Sequence, residues 1–511
     1  MNQTNASSSI WKVIAASSMG TMIEWYDFYI FGMLAKTISV QFFPEGNDVA
    51  ALLSTLAIFA AGFIVRPFGA LLFGRLGDLI GRKYTFLLTL VLMGSATFLI
   101  GLVPGYKTIG VLAPILVLFL RLIQGLALGG EYGGAATYVA EHAPSNKRGF
   151  YTSWIQTTAT LGLFVALGVI LLVKSSMSDA AFDAEWGGWR YPFWLSIVLV
   201  GVSIYIRMKM KESPMFEKLK HEGKIAVNPL KESFRHKGNF KMVLLALFGA
   251  VMGQGVIWYT GQFYAQSFLE TKVNLNFEQS RTILLWAILF ATPFFVFFGW
   301  LSDRIGRKWI MLIGMLLGVI FYRPIYQRFL DSVDHTKIEF VDLKVTAKPI
   351  IEAAPIEGTT GFVRTVITPY ASANGWAFTE TVNDTIQQQG DLIINKPTTT
   401  YSNRHLPLPV FWKFVWLVFV QIFFVTMVYG PVAAFLVELF PTKIRYTSMS
   451  LPYHIGNGVF GGLVPFIGLL LTTSFPADPL VGLWYPIGVA ALCFVIGALY
   501  LNNKIDPNVN D

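Results

Sequence analysis

The sequence predicts an all-α polytopic membrane protein with twelve transmembrane helices arranged as two six-helix halves. Three observations lead to this prediction. Of the 511 residues, 54% are hydrophobic and only 14% are charged. Apolar runs of about 20 residues, long enough to cross a hydrocarbon layer, recur along the chain. A charged motif, GRLGDLIGRKYTF at 74–86, returns as GWLSDRIGRKWIM at 299–311 with seven identities in thirteen positions.

The composition also limits the class of protein. In soluble domains about a quarter of the residues are charged, compared with 14% in this chain. The opening MNQTNASSSIWK has little positive charge and no clear cleavage site follows, so we expect a retained first helix rather than a signal peptide. Cys493 is the only cysteine, which excludes an intrachain disulfide and a cysteine-cluster metal site. We expect no metal and no cofactor.

The apolar runs define twelve spans, and an even number places both termini on one side of the membrane. Predicted spans 1 to 6 cover 11–41, 50–74, 84–103, 111–140, 150–174 and 191–208. Predicted spans 7 to 12 cover 241–269, 281–300, 307–330, 409–438, 447–473 and 480–502.

Basic residues indicate which loops face the cytoplasm, because Lys and Arg concentrate there. The segment 207–241 carries ten of them against four Glu. Both copies of the charged motif fall on the same side as this segment, together with SNKRG at 145–149 and PTKIR at 441–445. We therefore expect cytoplasmic termini and attribute the net charge of +9 to topology, with no nucleic-acid partner. The basic segment is expected to be a solvated connector; a regulatory role is the alternative.

A second repeated pattern supports a duplicated architecture. EHAPSNKR at 141–148 and ELFPTKIR at 438–445 share Glu-x-x-Pro-x-x-x-Arg. From the motif aspartate to the proline of this pattern is 66 residues in the first half and 138 in the second, an excess of 72. We place this excess outside the membrane, between spans 9 and 10. The predicted domains are an N-terminal half 1–208, a cytoplasmic connector 209–240, and a C-terminal half 241–511 that contains the extracytoplasmic insertion 331–408.

The insertion has only weak structural signals. KIEFVDLKV at 337–345 alternates roughly as a strand would, and ANGW at 373–376 and QQGD at 388–391 are turn candidates. The sequence leaves open whether the insertion is a small β-rich cap or a loosely ordered loop.

Ionisable residues inside spans are costly and therefore mark functional candidates. The first half has five: Glu24, Asp27, Arg66, Arg121 and Glu131. Glu24 and Asp27 are three residues apart and share a helix face. Three acids stand against two bases, so a proton, a bound cation or a cationic substrate group would balance the charge. Asp27 and Glu131 are candidate proton carriers, with Glu24 and Arg121 also assigned to coupling; permanent structural ion pairs are the alternative.

The second half offers aromatic and amide side chains but no clear mid-span acid. In span 7, Gln254, Trp258, Tyr259 and Gln262 are candidate substrate contacts, although packing would explain any one of them. His454 in span 11 is either a proton relay or a hydrogen-bonded packing residue. The sequence contains no phosphate loop, nucleophile triad or metal constellation, so an ATP-driven pump or a membrane enzyme has no support.

The motifs resemble those of the major facilitator superfamily. Both copies of Gly-x-x-x-Asp-x-x-Gly-Arg-Lys match its loop signature, except that Leu79 replaces the usual basic residue, which the second copy keeps as Arg304. Four further stretches resemble the metabolite:proton symporters, the group of proline/betaine, shikimate and α-ketoglutarate permeases. These are IEWYDFYIFG at 23–32, RPFGALLFGRLGD at 66–78, GYKTIGVLAP at 105–114 and RLIQGLALGGEYGGAATYVAEHAPSNKRG at 121–149.

The resemblance implies the major facilitator fold and proton-coupled symport of a small metabolite by alternating access. It also implies that the charged motif stabilises a gate; the alternative is a topology signal that only anchors the loop. The gating residues would be Gly74, Asp78, Gly81, Arg82, Lys83, Asp303, Arg304, Gly306 and Arg307.

We favour an organic acid as substrate, because an arginine guanidinium is shaped to bind a carboxylate and Arg66 and Arg121 are the candidates. This preference rests on Arg121, since Arg66 is expected to lie lower, near the charged motif. The alternative is a zwitterionic osmolyte, whose quaternary ammonium would need an aromatic cage; Trp25, Tyr26 and residues 258–259 are candidates. A transporter-like sensor and a uniporter are further alternatives. We expect a monomer in the inner membrane of a bacterium, with the lipid bilayer, protons and the substrate as partners.

Overall fold

The structure, a computed structural model, describes residues 3–80, 82–130, 136, 139–140, 143–208, 237–355, 362–389, 392–440 and 445–502. Its long helices fall where the apolar runs predict spans. In the first half, the helices are Gln3–Met33 and Ala35–Phe42 (span 1), Asp48–Ile64 and Arg66–Ile80 (span 2), Arg82–Ile100 (span 3), Leu112–Gly129 (span 4), Arg148–Ser175 (span 5) and Tyr191–Met208 (span 6). Short helices Tyr106–Ile109 and Asp179–Asp183 lie in the connecting loops.

The second half repeats this arrangement. Its helices are Lys237–Thr271 (span 7), Phe277–Ile305 (span 8), Lys308–Ser332 (span 9), Leu408–Tyr429 and Val432–Leu439 (span 10), Arg445–Tyr453 through Val464–Ser474 (span 11) and Trp484–Tyr500 (span 12). In the part of the chain that the structure describes, nine helices are long and apolar enough to cross a membrane. Leu87–Ile100 of span 3 is a further, shorter apolar helix.

The two halves meet along a continuous hydrophobic core. Span 5 packs on span 8 across the interface, and span 2 packs on span 11. Gly299 lies where spans 5 and 8 cross, and a Cβ there would come within 2.4 Å of the Ser153 Cβ and 2.6 Å of the Gly149 carbonyl oxygen. Because real Cβ atoms do not approach so closely, a larger residue at position 299 would push the two halves apart.

Two spans of the second half are locally widened. Span 7 contains π-helical turns at Leu247–Val251 and Thr260–Tyr264, and span 11 contains one at His454–Gly461. Such wide turns re-aim side chains and occur frequently at functional sites. The turn at His454–Gly461 packs on span 2, and Phe263 of the turn at Thr260–Tyr264 meets Tyr29 and Phe59 of the first half, so these two turns lie at the interface.

Between spans 9 and 10 the chain forms an antiparallel sheet. Its strands are β1 Lys344–Val345, β2 Ile350–Pro355, β3 Phe362–Ala371, β4 Ala377–Gln389 and β5 Leu392–His405. The order is β1–β3–β4–β5, with β2 also paired to β3. The predicted turn at 373–376 joins β3 to β4, with Gly375 at a φ of +91°. Only Lys344–Val345 of the weak strand signal at 337–345 pairs with the sheet.

Candidate functional site

The acidic pair of span 1 lies in the interior of the first half. Glu24 and Asp27 are 1% and 0% exposed. Ser196 of span 6 is the polar group that faces Asp27, yet neither Asp27 carboxylate oxygen accepts a hydrogen bond within the described residues. The neighbouring Tyr26 hydroxyl donates to the Pro192 carbonyl at 2.8 Å, which ties span 1 to span 6. Asp27 is therefore a buried acid whose charge nothing described compensates.

Arg66 begins the second helix of span 2 and is fully buried. Its guanidinium carbon lies 4.1 Å from the ring centroid of Phe63, 4.4 Å from that of Phe28 and 5.2 Å from that of Trp25. None of its three nitrogens has a hydrogen-bond partner among the described residues. These unused donors make Arg66 a candidate site for an anion.

Tyrosines from both halves surround this guanidinium. Tyr29 of span 1, Tyr259 of span 7 and Tyr429 of span 10 all lie within electrostatic range of Arg66, as does Tyr453 of span 11. The Tyr429 and Tyr453 hydroxyls lie 2.9 Å apart. Arg66 therefore lies at the interface between the two halves.

Arg121 of span 4 is also fully buried. One of its terminal nitrogens donates to the Phe28 carbonyl at 3.1 Å and to the Gln124 side chain at 2.8 Å. Its guanidinium also stacks 3.6 Å above the Phe28 ring, and the rings of Phe31 and Phe59 lie at 4.8 Å. All these partners belong to the first half, and the Phe28 ring lies against both guanidinium groups. The other two Arg121 nitrogens have no hydrogen-bond partner among the described residues.

Aromatic rings of both halves converge beside Arg66. The Tyr29 ring stacks on the Trp25 ring of the same helix, with centroids 5.0 Å apart. It also stacks on the Trp258 ring of span 7, in the second half, at 5.3 Å. The Phe63 ring meets the Tyr259 ring edge-on at 5.0 Å. We call Trp25, Tyr29, Phe63, Trp258, Tyr259 and Phe263 the aromatic seam. The sequence analysis named Trp25, Trp258 and Tyr259 of this seam; its fourth candidate, Tyr26, instead binds Pro192. Tyr29, four residues after Trp25, could have been found from that spacing.

Amide side chains of spans 7 and 11 lie on the second-half side. Gln254 and Asn457 exchange two hydrogen bonds, at 2.8 and 3.0 Å. Gln262 is fully buried in a π-helical turn, and neither its oxygen nor its nitrogen has a partner among the described residues. His454 faces the Gly129 carbonyl of span 4 and is close enough to Arg66 to feel the charge of its guanidinium. Asn457 was missed by the sequence reasoning, although the polar interruption IGNG at 455–458 within an apolar span was a usable signal.

The second copy of the charged motif forms an ion-pair cluster at one end of the interface. The two carboxylate oxygens of Asp303 accept hydrogen bonds at 2.8 Å from the backbone amides of Gly149 and Phe150, the first turn of span 5. Arg307 donates to Asp303 at 2.8 Å and to both oxygens of Glu438 at 2.8 and 3.1 Å. We call Asp303, Arg307 and Glu438, with the amides they bind, the inner latch.

The remaining motif residues have distinct surroundings. Gly306 ends span 8 at a φ of +95°, a conformation that glycine adopts without strain. Arg304 is exposed and lies 4.1 Å over the Trp300 ring, outside the inner latch. The first copy of the motif lies outside the described side chains, and so does Glu131; these positions are Gly74, Asp78, Gly81, Arg82, Lys83 and Glu131.

Comparisons with known proteins agree with this arrangement. A family model described as sugar (and other) transporter matches residues 12–231. The inner membrane metabolite transport protein YhjE of Escherichia coli is 31% identical over 91% of this chain and 88% of its own length. The α-ketoglutarate permease of the same organism is 31% identical over 97% of this chain and 94% of its own. The proline/betaine transporter of that organism is 35% identical, but over only 62% of this chain and 64% of its own.

Solved structures show the same fold. The proton:xylose symporter XylE, a major facilitator superfamily protein, superposes with a TM-score of 0.68 over 98% of both chains, at 16% identity. This likeness covers both six-helix halves and fits the twelve-helix architecture.

Proposed function

Because the chain belongs to the major facilitator superfamily, in the group of metabolite transporters, we propose that it takes up a small organic acid together with protons by alternating access. It is a multi-pass inner-membrane transporter and not an enzyme. Residues 1–208 and 241–511 would be the two moving halves. The connector 209–240 and both termini would lie in the cytoplasm, and the insertion 331–408 outside.

The proposal rests on the buried Arg66 guanidinium, whose three nitrogens have no hydrogen-bond partner among the described residues. A buried guanidinium with unsatisfied donors is costly, because burying a charge requires compensation by hydrogen bonds or an opposite charge. A substrate carboxylate would supply both, since Arg binds carboxylates through two parallel hydrogen bonds. Arg66 lies at the interface between the halves, whereas Arg121 is held within the first half. We therefore assign the carboxylate to Arg66 and a supporting electrostatic role to Arg121.

The proton would travel on Asp27. Its carboxylate is buried without compensation in the described structure, so a proton or a cationic group is needed to stabilise it. Glu24 lies three residues away on the same helix, and Glu131 remains the second candidate. A change in the surroundings of Asp27 as the halves rock would bind the proton on one side and release it on the other.

A zwitterionic osmolyte is the second candidate substrate, and the aromatic seam favours it. A quaternary ammonium is recognised by several aromatic faces within about 6 Å. Trp25, Tyr29 and Trp258 stack in sequence across the interface and lie beside the same Arg66 that would bind the carboxylate. Such a substrate would place its carboxylate on Arg66 and its cationic end against the rings.

Reconstituted protein tests the proposal. Proteoliposomes with an imposed inward proton gradient would be given labelled mono- and dicarboxylates, proline and betaine. We expect uphill accumulation of a carboxylate, and we expect Arg66→Lys to raise its KM by roughly 10- to 100-fold, the loss of a charge-assisted hydrogen bond. Arg323→Gln, which removes a half-exposed arginine paired with Asp478, is the matched control.

The substrate classes separate in the same assay. Competition by excess betaine but not by carboxylates, with Trp258→Leu more damaging than Arg66→Lys, would assign the protein to the zwitterion class. Binding of a ligand without accumulation under any gradient would contradict transport and support a sensor.

A further inference from the structure

A buried ion pair closes the interface at the end opposite the inner latch. Arg281, in the first turns of span 8, is fully buried and donates to the Glu270 carboxylate at the end of span 7. It also donates to the Phe277 carbonyl at 3.2 Å, and its guanidinium stacks 3.5 Å over the Phe277 ring. Gln266 donates to Glu270 at 3.0 Å, so both charges are compensated.

This pair reaches across to the other half. A second Arg281 nitrogen donates to the carbonyl of Met33, the last residue of the long span 1 helix. Phe277 joins the same contact, because its ring lies 5.6 Å from Phe182 and 5.4 Å from the Lys174 ammonium of the first half. The segment 273–281 therefore holds the two halves together at this end.

Two cavities lie beside this contact, and Lys36 lines both of them. The lining of the larger one, about 440 Å³, includes Lys174, Phe277 and Asn403. Glu270 and Gln266 line the smaller one together with Phe263 of the aromatic seam. The ion pair therefore lies where space between the two halves reaches the aromatic seam.

The sheet is fastened to this same segment. The Gln279 side chain donates to the Leu406 carbonyl at 2.9 Å and accepts from the Leu406 amide at 2.7 Å. Backbone bonds join residue 404 to residues 274 and 276, at 2.9 and 2.7 Å. The Arg404 side chain also donates to the Val273 carbonyl at 2.6 Å. The base of the sheet thus fixes both ends of the loop between spans 7 and 8.

We propose that Arg281 is the outer gate residue of the transporter and that the sheet is part of this gate, holding the segment 273–281 in the position where Arg281 reaches Met33. The inference rests on the proposed alternating access. Opening to the outside would break the Arg281–Met33 bond while Glu270 keeps the guanidinium paired, so the charge is never left uncompensated. The sheet would then move with the second half.

The test measures opening directly. Ser267 lines the smaller cavity beside Glu270, so Ser267→Cys in a Cys493→Ser background reports how readily a membrane-impermeant maleimide reaches this cavity in full-length protein in membranes. We expect Arg281→Gln with Glu270→Gln to increase its labelling rate by roughly tenfold, which corresponds to about 1.4 kcal/mol of lost gate closure. Arg281→Lys, which keeps the charge but has one donor group, should give an intermediate rate and guards against misfolding of the neutral pair.

A second arm tests the sheet. Gln279→Leu removes both bonds to Leu406 and should also accelerate labelling, whereas Glu278→Gln, a change to the exposed neighbouring side chain, should not. Unchanged labelling in Gln279→Leu and Arg281→Lys, with substrate counterflow intact, would overturn the gate while leaving the proposed function standing. Absence of substrate counterflow in the protein without these substitutions would instead contradict the proposed function.

Discussion

Asp27 differs from the other buried acids of the described helices in its surroundings. Asp303 and Glu438 each bind Arg307, and Glu270 binds Arg281. These three carboxylates are charge-compensated in the structure, whereas the oxygens of Asp27 have no hydrogen-bond partner among the described residues. A carboxylate in such surroundings is stabilised by binding a proton, so we infer that, of the acids whose side chains the structure describes, Asp27 is the best suited to exchange one during transport.

We predict that Asp27→Asn abolishes uphill accumulation while counterflow stays measurable. The amide mimics the protonated acid, so the halves can still alternate, but no proton is carried. Accumulation and counterflow in proteoliposomes measure the two properties separately. Glu24→Gln, on the same helix face, is the matched variant. Continued accumulation by Asp27→Asn would move the proton to Glu131, Glu24 or His454.

His335, which lies outside the membrane spans, makes the stability of the sheet depend on pH. His335 stacks on Tyr401 with ring centroids 3.6 Å apart and meets Phe378 and Phe340 in the small core of the sheet. Burial, and then the Arg404 guanidinium, lower the pKa of His335 to about 4, against the opposing charge of Asp334. The imidazole is therefore neutral in the folded sheet at neutral pH.

We predict that the sheet loses stability as the pH falls from about 6.5, where an unfolded histidine titrates, towards 4. The sign follows because the folded pKa is the lower one: the unfolded chain binds the proton first, and above about pH 7 this group has no effect. Hydrogen exchange of strands β3 to β5, corrected for the pH dependence of the intrinsic exchange rate, measures this loss of stability. His335→Phe should remove this component, and His405→Phe, at an exposed position, controls for loss of an imidazole. An unaltered pH profile in His335→Phe would contradict the assignment.

At the scale of elements, the inner latch joins spans 5, 8 and 10. The Asp303 carboxylate caps the first turn of span 5, where unpaired amides and the helix dipole favour a negative charge. Arg307 binds Asp303 of span 8 and Glu438 of span 10. Because Asp303 also binds the amides of span 5, the cluster connects all three spans. The latch therefore depends on the charge of Asp303 and not only on its shape.

We predict that Asp303→Asn shifts the protein towards opening at this end. The amide keeps one acceptor but loses the charge that binds Arg307, a loss of about 1.5–3 kcal/mol. Ser153→Cys, buried where spans 5 and 8 cross, should label at least roughly tenfold faster in inside-out vesicles. Arg304→Gln, at the exposed motif neighbour, should leave the rate nearly unchanged. Equal acceleration by both variants would favour the alternative that the motif is only a topological anchor.

The sequence predicted the helices well because burial of long apolar runs is a local property. The candidate residues Asp27, Arg66 and Arg121 were visible for the same reason, since an ionisable residue within such a run stands out. Three members of the aromatic seam were candidates, but their convergence could not be predicted, because it depends on which helix faces meet. Glu270 and Arg281 were missed because they lie at predicted span ends, where charges are usually solvated.

The sheet shows where local signals were weakest. Its strands are rich in Thr and polar residues, with one exposed face, and the strand signal at 337–345 marked only β1. The edge strand β5 carries Lys396 and Pro397, residues that typically protect an exposed edge from pairing with another chain. The choice between a β-rich cap and a loosely ordered loop needed the structure, because sheet pairing joins residues far apart in sequence.

At the scale of the whole molecule, contacts hold the halves together at both ends of the interface. Asp303 bonds to span 5 at one end, and Arg281 bonds to span 1 at the other. The sheet lies at the Arg281 end, as the base of β5 is bonded to the loop between spans 7 and 8. If the basic connector is cytoplasmic, the inner latch faces the cytoplasm and the sheet faces outwards.

We therefore predict that the sheet is extracytoplasmic. Thr399 lies exposed on the outer strand β5, so Thr399→Cys in a Cys493→Ser background should react with a membrane-impermeant maleimide in intact cells whose outer membrane has been permeabilised. Cys493 itself is buried, so its replacement removes background without changing the surface. A cysteine at Lys224, in the predicted connector, is the opposite-side control and should react only after the inner membrane is lysed. Reaction of Lys224→Cys first, with Thr399→Cys protected until lysis, would invert the topology and exchange the inner and outer ends of the interface.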